Sequence, residues 1–176
     1  MNSALLSSKN MCWCTPQDFY EKLNTEFNFT VDVAANPGSA KCEHFYTPLD
    51  DGLSKSWGGE TVWCNPPYGR STGLWVKKAY EETTNNKSTI VVMLIPARTD
   101  TSYWHDYIFG RKAYEIRFVR GRLKFTDEDG VPKDPAPFPS AVIIWRSKDV
   151  KFRKKIRKDN IAACQSKNEK EVKHND

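Results

Sequence analysis

No apolar stretch in the 176-residue sequence approaches the roughly 18 residues that a membrane span requires. Residues 1–11 have neither the basic start nor the apolar centre of a signal peptide, so a cytoplasmic protein with no membrane partner is expected. A disulfide framework is also excluded. The five cysteines (Cys12, Cys14, Cys42, Cys64 and Cys164) are odd in number and scattered, which suits reduced thiols. Cys12, Cys14, Cys42 and His44 lack the Cys-x-x-Cys spacing of a zinc site, so no metal is expected. No internal repeat or low-complexity run appears before the C-terminal stretch, and one domain over residues 10–148 is expected, with 149–176 as a basic tail. Neither charge sign dominates. The 27 Lys and Arg against 22 Asp and Glu give +5, which is compatible with a polyanionic partner without demanding one.

What the chain does have is an alternation of two periodicities. Residues 29–35, 61–64, 89–95, 115–119 and 141–145 are short runs rich in Val, Ile, Phe and Trp, and several are unbroken by polar residues, as strands buried on both faces should be. Residues 15–27, 74–83 and 101–109 read as helices, and a further short strand is expected near 44–47. Thr15 is suited to cap the first helix and Pro16 to its first turn, with Phe19, Leu23 and Phe27 on one face. The alternation implies an α/β fold with a compact, mostly parallel sheet flanked by helices. Such sheets bind ligands beyond the carboxyl ends of their strands, so motifs that directly follow a strand carry the functional information.

Asn65-Pro66-Pro67-Tyr68 follows the strand 61–64 at once. Two prolines cannot continue a strand and lack an N–H, so they make a stiff loop whose carbonyls act only as acceptors. This combination suits one difficult reaction, methylation of an exocyclic amino group on a base. The lone pair of that nitrogen is delocalised into the ring, and it becomes nucleophilic when acceptors draw it out of conjugation. The Asn65 side-chain oxygen and the Pro66 carbonyl supply two such acceptors, and Tyr68 is expected to stack on a base flipped out of a duplex.

The tetrapeptide matches the signature of amino-methyltransferases, and the chain resembles the phage-encoded DNA N6-adenine methyltransferases, the phage Dam family, over most of its length. The resemblance rests on Trp13-Cys14-Thr15-Pro16, Asp32-Val33-Ala34-Ala35, Asp50-Asp51-Gly52-Leu53 with Trp57 and Gly58, and Val62 to Gly69 around the tetrapeptide. It continues through Leu94-Ile95-Pro96-Ala97-Arg98-Thr99-Asp100-Thr101 and Gly121-Arg122-Leu123-Lys124-Phe125. It implies a Rossmann-like methyltransferase fold with S-adenosyl-L-methionine as cofactor and double-stranded DNA as substrate, and no obligate protein partner. By the same resemblance Asp32 meets the methionine amino group, Ala34 lets the cofactor approach the backbone, and Thr15-Pro16 form an N-terminal cofactor motif. Asp50 and Asp51 contact the ribose or the adenine amino group, without separate assignments. No Gly-x-Gly follows Asp32, a departure from the usual cofactor motif.

Arg98, Arg122 and Lys124 stand where loops can reach phosphates or base edges. No large insertion is available for target recognition, which then falls to residues 70–73, 98–103 and 126–140. After Arg146 the chain gathers Lys148, Lys151, Arg153, Lys154, Lys155, Arg157 and Lys158 against Asp149, either a phosphate-gripping arm or a solvated tail. The competing readings are an amino-methyltransferase acting on cytosine N4, an RNA base or a protein glutamine, and a DNA-binding relative without turnover.

Overall fold

The computed structural model describes residues 13–151; the basic stretch beyond Lys151 lies outside the described residues. The elements are α1 (Gln17–Phe27), β1 (Val31–Asp32), β2 (Thr61–Cys64), α2 (Thr72–Asn85), β3 (Ile90–Pro96), α3 (Ser102–Tyr107), β4 (Glu115–Phe118) and β5 (Ser140–Arg146). They form one five-stranded sheet in the order β1-β2-β3-β5-β4. β1, β2 and β3 pair in parallel, and β5 pairs antiparallel with both β3 and β4. Four strands therefore run one way and only β5 is reversed, which makes the sheet mostly parallel, as the alternation of patterns implied. The carboxyl ends of β1 to β4 share one rim, where Asp32, Asn65, Arg98 and the residues after β4 converge.

Side chains alternate across the sheet and build two cores. Val91, Met93 and Ile95 of β3 face one core with Val76 and Ala79 of α2 and Trp104 of α3. Val92 and Leu94 face the other with Phe19, Leu23 and Phe27 of α1. The long connection between β4 and β5 covers that second face through Phe125 and Ala136.

The differences from expectation are local. The first strand has two ladder residues instead of the seven of 29–35, because the Asp32 carboxylate takes the Ala34 N–H (3.2 Å) and turns the chain away. The strand near 44–47 is reduced to a single parallel bridge between Asp32 and Phe45. Thr15 does not cap α1: Pro16 occupies that position with no side-chain hydrogen bond, and the Thr15 hydroxyl is buried without a partner. Proline at the cap position accounts for this, since the chain before it stays extended and Thr15 points elsewhere.

Candidate active site

A cleft of about 310 Å³ opens at the carboxyl rim, lined by residues that include Thr15, Asp32, Ala34, Lys41, Asp51, Gly52, Asn65 and Pro66. It is large enough for one small-molecule ligand. Its floor is the end of β1, where Asp32 is 3% exposed. The two Asp32 carboxylate oxygens accept the backbone N–H groups of Ala34 (3.2 Å) and Lys41 (3.1 Å), which fix its orientation. Burial nevertheless dominates these bonds and pushes the carboxyl up to about 6. Its ionised form is short of stabilisation, so a cation is the ligand it would gain most from. Lys41 lines the same wall, its ammonium donating to Gln17 Oε1 at 2.9 Å, and burial lowers its pKa.

The loop after the neighbouring strand β2 lines the same cleft. Asn65 and Pro66 line the cleft, and the Pro67 carbonyl accepts the Thr72 hydroxyl (3.0 Å), which ties the loop to the start of α2. Asn65 donates its Nδ2 hydrogen to the Trp13 carbonyl, and its Oδ1 accepts the Tyr68 hydroxyl at 2.8 Å. Tyr68, expected to offer its ring face to a base, is only 7% exposed, edge-on to Phe125 and Phe138. The cleft thus joins a cation-seeking carboxylate to an amide oxygen of fixed orientation. Residues 2–174 match the DNA N-6-adenine-methyltransferase (Dam) family. The chain belongs to that family.

Among its relatives, the DNA N-6-adenine-methyltransferase of Escherichia phage T1 is 34% identical over 120 residues, 67% of this chain and 48% of that protein. The DNA N-6-adenine-methyltransferase of Haemophilus phage HP1 (strain HP1c1) is 26% identical over 140 residues, 77% of this chain and 79% of that protein. The matched region therefore spans about half of the T1 protein and about four fifths of the HP1 protein.

The remaining family positions divide by place. Thr15, Ala34 and Asp51 line the cleft, whereas Pro16 and Asp50 do not. The Pro16 carbonyl accepts the Tyr20 N–H (3.0 Å) in the first turn of α1. The Asp50 carboxylate is taken by the Thr47 N–H (2.8 Å) and hydroxyl (2.7 Å), so it closes a turn, while Asp51 stands on the cleft wall at φ 50°. Arg98, Arg122 and Lys124 are exposed on the rim, and no ion pair holds them among the described residues. The described residues contain no cluster of three metal-ligating side chains and no helix long and apolar enough to cross a membrane.

Sequence reasoning missed the supports. Gly52 passes so close to β1 that a Cβ there would lie 2.1 Å from the Val33 carbonyl, and Trp75 packs beside it. Phe125, the last residue of the Gly121–Phe125 motif, and Phe138 hold both Trp13 and Tyr68. The alternation of Arg122, Leu123, Lys124 and Phe125 was the available signal: every second side chain turns inward.

Proposed function

We propose that this protein transfers a methyl group from S-adenosylmethionine to the N6 amino group of adenine in double-stranded DNA. The observation that carries the reading is the placement of Asn65 and Pro66 on the same cleft as Asp32 and Thr15, in a chain of the Dam family. The cleft fits the cofactor. The buried Thr15 hydroxyl has no protein partner, and Asp32 and Lys41 present both signs of charge, as a zwitterionic amino-acid end requires. Ala34 and Gly52 let a ligand approach the backbone of the wall that Asp51 completes. When bound, the cofactor supplies an electrophilic methyl group.

The protein's own residues act on the amine. Asn65 Oδ1 and the Pro66 carbonyl accept one amino hydrogen each, which favours a tetrahedral nitrogen with its lone pair free of the ring. Both acceptors also favour the positive charge that grows on nitrogen as it is alkylated, a preorganised electrostatic effect. An ionised base is unnecessary because the alkylated amine sheds its proton readily. A base inside a duplex must be extruded first, and Arg98, Arg122 and Lys124 on the rim hold the phosphates while it is. The reaction belongs in the cytoplasm that holds the DNA, that of the host if the protein is phage-encoded, and residues 10–148 supply the catalytic domain.

Labelled S-adenosylmethionine and duplex DNA, incubated with the full chain and followed by nucleoside mass spectrometry, test the reading. N6-methyladenine is expected. A label found in N4-methylcytosine, in RNA or in protein, or no transfer at all, rejects it.

A further inference from the structure

We propose that Lys41 makes the cleft selective for a ligand with a free carboxylate, its ammonium leaving Gln17 for the carboxylate at the methionine end of the cofactor. The inference rests on the function proposed above and names the group that tells this cofactor from a nucleoside without that carboxylate. Asp32 and Lys41 both line the cleft, yet their charges form no salt bridge with each other. The Asp32 carboxylate accepts the backbone N–H of Lys41 (3.1 Å), whereas the Lys41 ammonium donates to Gln17 Oε1 (2.9 Å). Burial lowers the pKa of that ammonium, and the attraction of Cys14, Asp32 and Glu21 does not offset it. A half-buried ammonium resting on a neutral amide oxygen lacks the counter-charge that would offset its lost water. Two unpaired opposite charges on one cleft suit a ligand that carries both on one carbon atom, an α-amino acid end: ammonium to Asp32, carboxylate to Lys41.

The surroundings of Lys41 favour an anion. Thr15 is 2% exposed and lines the cleft, with a hydroxyl that has no protein partner and can donate to a carboxylate oxygen. It stands two residues before α1, an 11-residue helix whose N-terminal end favours negative charge. The acceptor that now holds Lys41 is easily given up. Gln17 is exposed at the first position of α1, and its amide nitrogen donates to Glu21 Oε1 (3.1 Å), which keeps Oε1 turned to Lys41. A bond from an ammonium to a carboxylate is roughly twice as strong as one to a neutral oxygen. Exchange of Gln17 for a carboxylate is therefore favourable, and the freed amide returns to water.

Calorimetry of the full chain with S-adenosylhomocysteine and with its decarboxylated analogue tests the proposal, because the two ligands differ only in the carboxylate. The unmodified protein is expected to prefer S-adenosylhomocysteine by about tenfold or more, as for one hydrogen bond between charged groups. Lys41→Met keeps the apolar stem and the backbone N–H that orients Asp32, and removes only the ammonium. In that variant the preference is expected to fall by about tenfold, while affinity for the decarboxylated analogue stays within about threefold. A preference within about threefold of the unmodified value overturns the proposal, and so does an equal loss of both ligands.

A second measurement needs no substitution. The side-chain amide signals of Gln17, seen by nitrogen-15 NMR in the unmodified protein, are expected to move when S-adenosylhomocysteine is added and to stay in place with the decarboxylated analogue. Signals that respond alike to both ligands, or to neither, overturn the exchange. The two readings fail in different ways. If the unmodified protein binds neither S-adenosylmethionine nor S-adenosylhomocysteine, the proposed function fails with it. If it binds S-adenosylhomocysteine and the decarboxylated analogue equally well, the cofactor reading stands and the role of Lys41 alone is overturned.

Discussion

The cleft wall that carries Asp32 and Asn65 and the rim that carries Arg98, Arg122 and Lys124 lie at the same end of the sheet, yet they are held in opposite ways. On the wall several polar groups are committed to the protein, the Thr15 hydroxyl excepted. Asp32 takes two backbone N–H groups, Asn65 is tied at both ends, and Asp50 closes the turn beside Asp51. On the rim the three cations are exposed, and no ion pair among the described residues restrains them. Fixed dipoles act strongly at short range, whereas solvated charges act weakly and add over many phosphates. Substitutions on the wall should therefore remove one specific step each, and those on the rim should weaken one common property by degrees.

The sharpest test of the wall is Asn65→Ala, which removes one preorganised acceptor. A loss of about 10²–10³-fold in single-turnover rate is expected, with cofactor affinity by calorimetry unchanged. A smaller loss, below about tenfold, would place Asn65 with the supports of the cleft rather than with its chemistry.

Asp32 comes next, and here pH sharpens the contrast with the rim. Its carboxyl is raised by burial from 3.8 to about 6, so the folded protein binds this proton more tightly than the unfolded chain does. The stability it contributes is full below the unfolded value near 3.8 and is lost as the pH rises through about 6. A cationic ligand selects the ionised form. Affinity for S-adenosylmethionine should then climb with pH up to about 6 and level off above it. Asp32→Asn should weaken binding by about 10–100-fold at neutral pH, the worth of a charge-assisted hydrogen bond, and abolish the pH dependence. Calorimetry from pH 5 to 8 measures both, and a mutant that keeps the slope would assign it to another group.

Gly52→Ala tests whether the wall depends on backbone contact as well as on polar groups. A Cβ 2.1 Å from the Val33 carbonyl cannot be accommodated without moving the chain that carries Asp51. We expect a loss of about 1–3 kcal/mol in stability by urea unfolding, together with weaker cofactor binding. Unchanged stability would mean that the turn moves freely.

The same contrast explains what the sequence disclosed. The strands at 61–64 and 141–145 were legible because a β-branched and aromatic run buries both faces, and α1 because Phe19, Leu23 and Phe27 repeat on one face, whereas β4, broken by Glu115 and Arg117, is a half-buried edge strand with Phe118 exposed. The placement of the loop after β2 on the cleft was legible because Asn65, Pro66 and Pro67 directly follow a strand end. Thr15 was misread as a helix cap, since a hydroxyl before proline has the same local pattern whether it meets a backbone or a cleft. The supports of Asn65 were out of reach because Trp13, Phe125 and Phe138 come together only through tertiary packing, and no spacing encodes that. The division of labour between Asp50 and Asp51 depended on a turn whose hydrogen bonds no sequence pattern displays.

The rim should give the smallest effect, and its form matters more than its size. Arg98 sits in a tight turn after β3, where its carbonyl accepts the Thr101 N–H (3.1 Å) and hydroxyl (2.8 Å), so the backbone is fixed while the guanidinium stays in water. Removing one phosphate contact releases one counterion fewer. Arg98→Ala should therefore lower the slope of log affinity against log salt by about 0.9 and weaken DNA binding only a few-fold at moderate salt. Arg122→Ala and Lys124→Ala should act alike, and the three should add because solvated charges at separate positions share no partner. None should alter which base is methylated or the affinity for the cofactor. A slope left unchanged by all three substitutions would take phosphate contact away from the rim. A change confined to particular DNA sequences would instead make Arg98 a reader of base edges, since such contacts discriminate by about 1–3 kcal/mol per base pair whereas phosphate contacts do not.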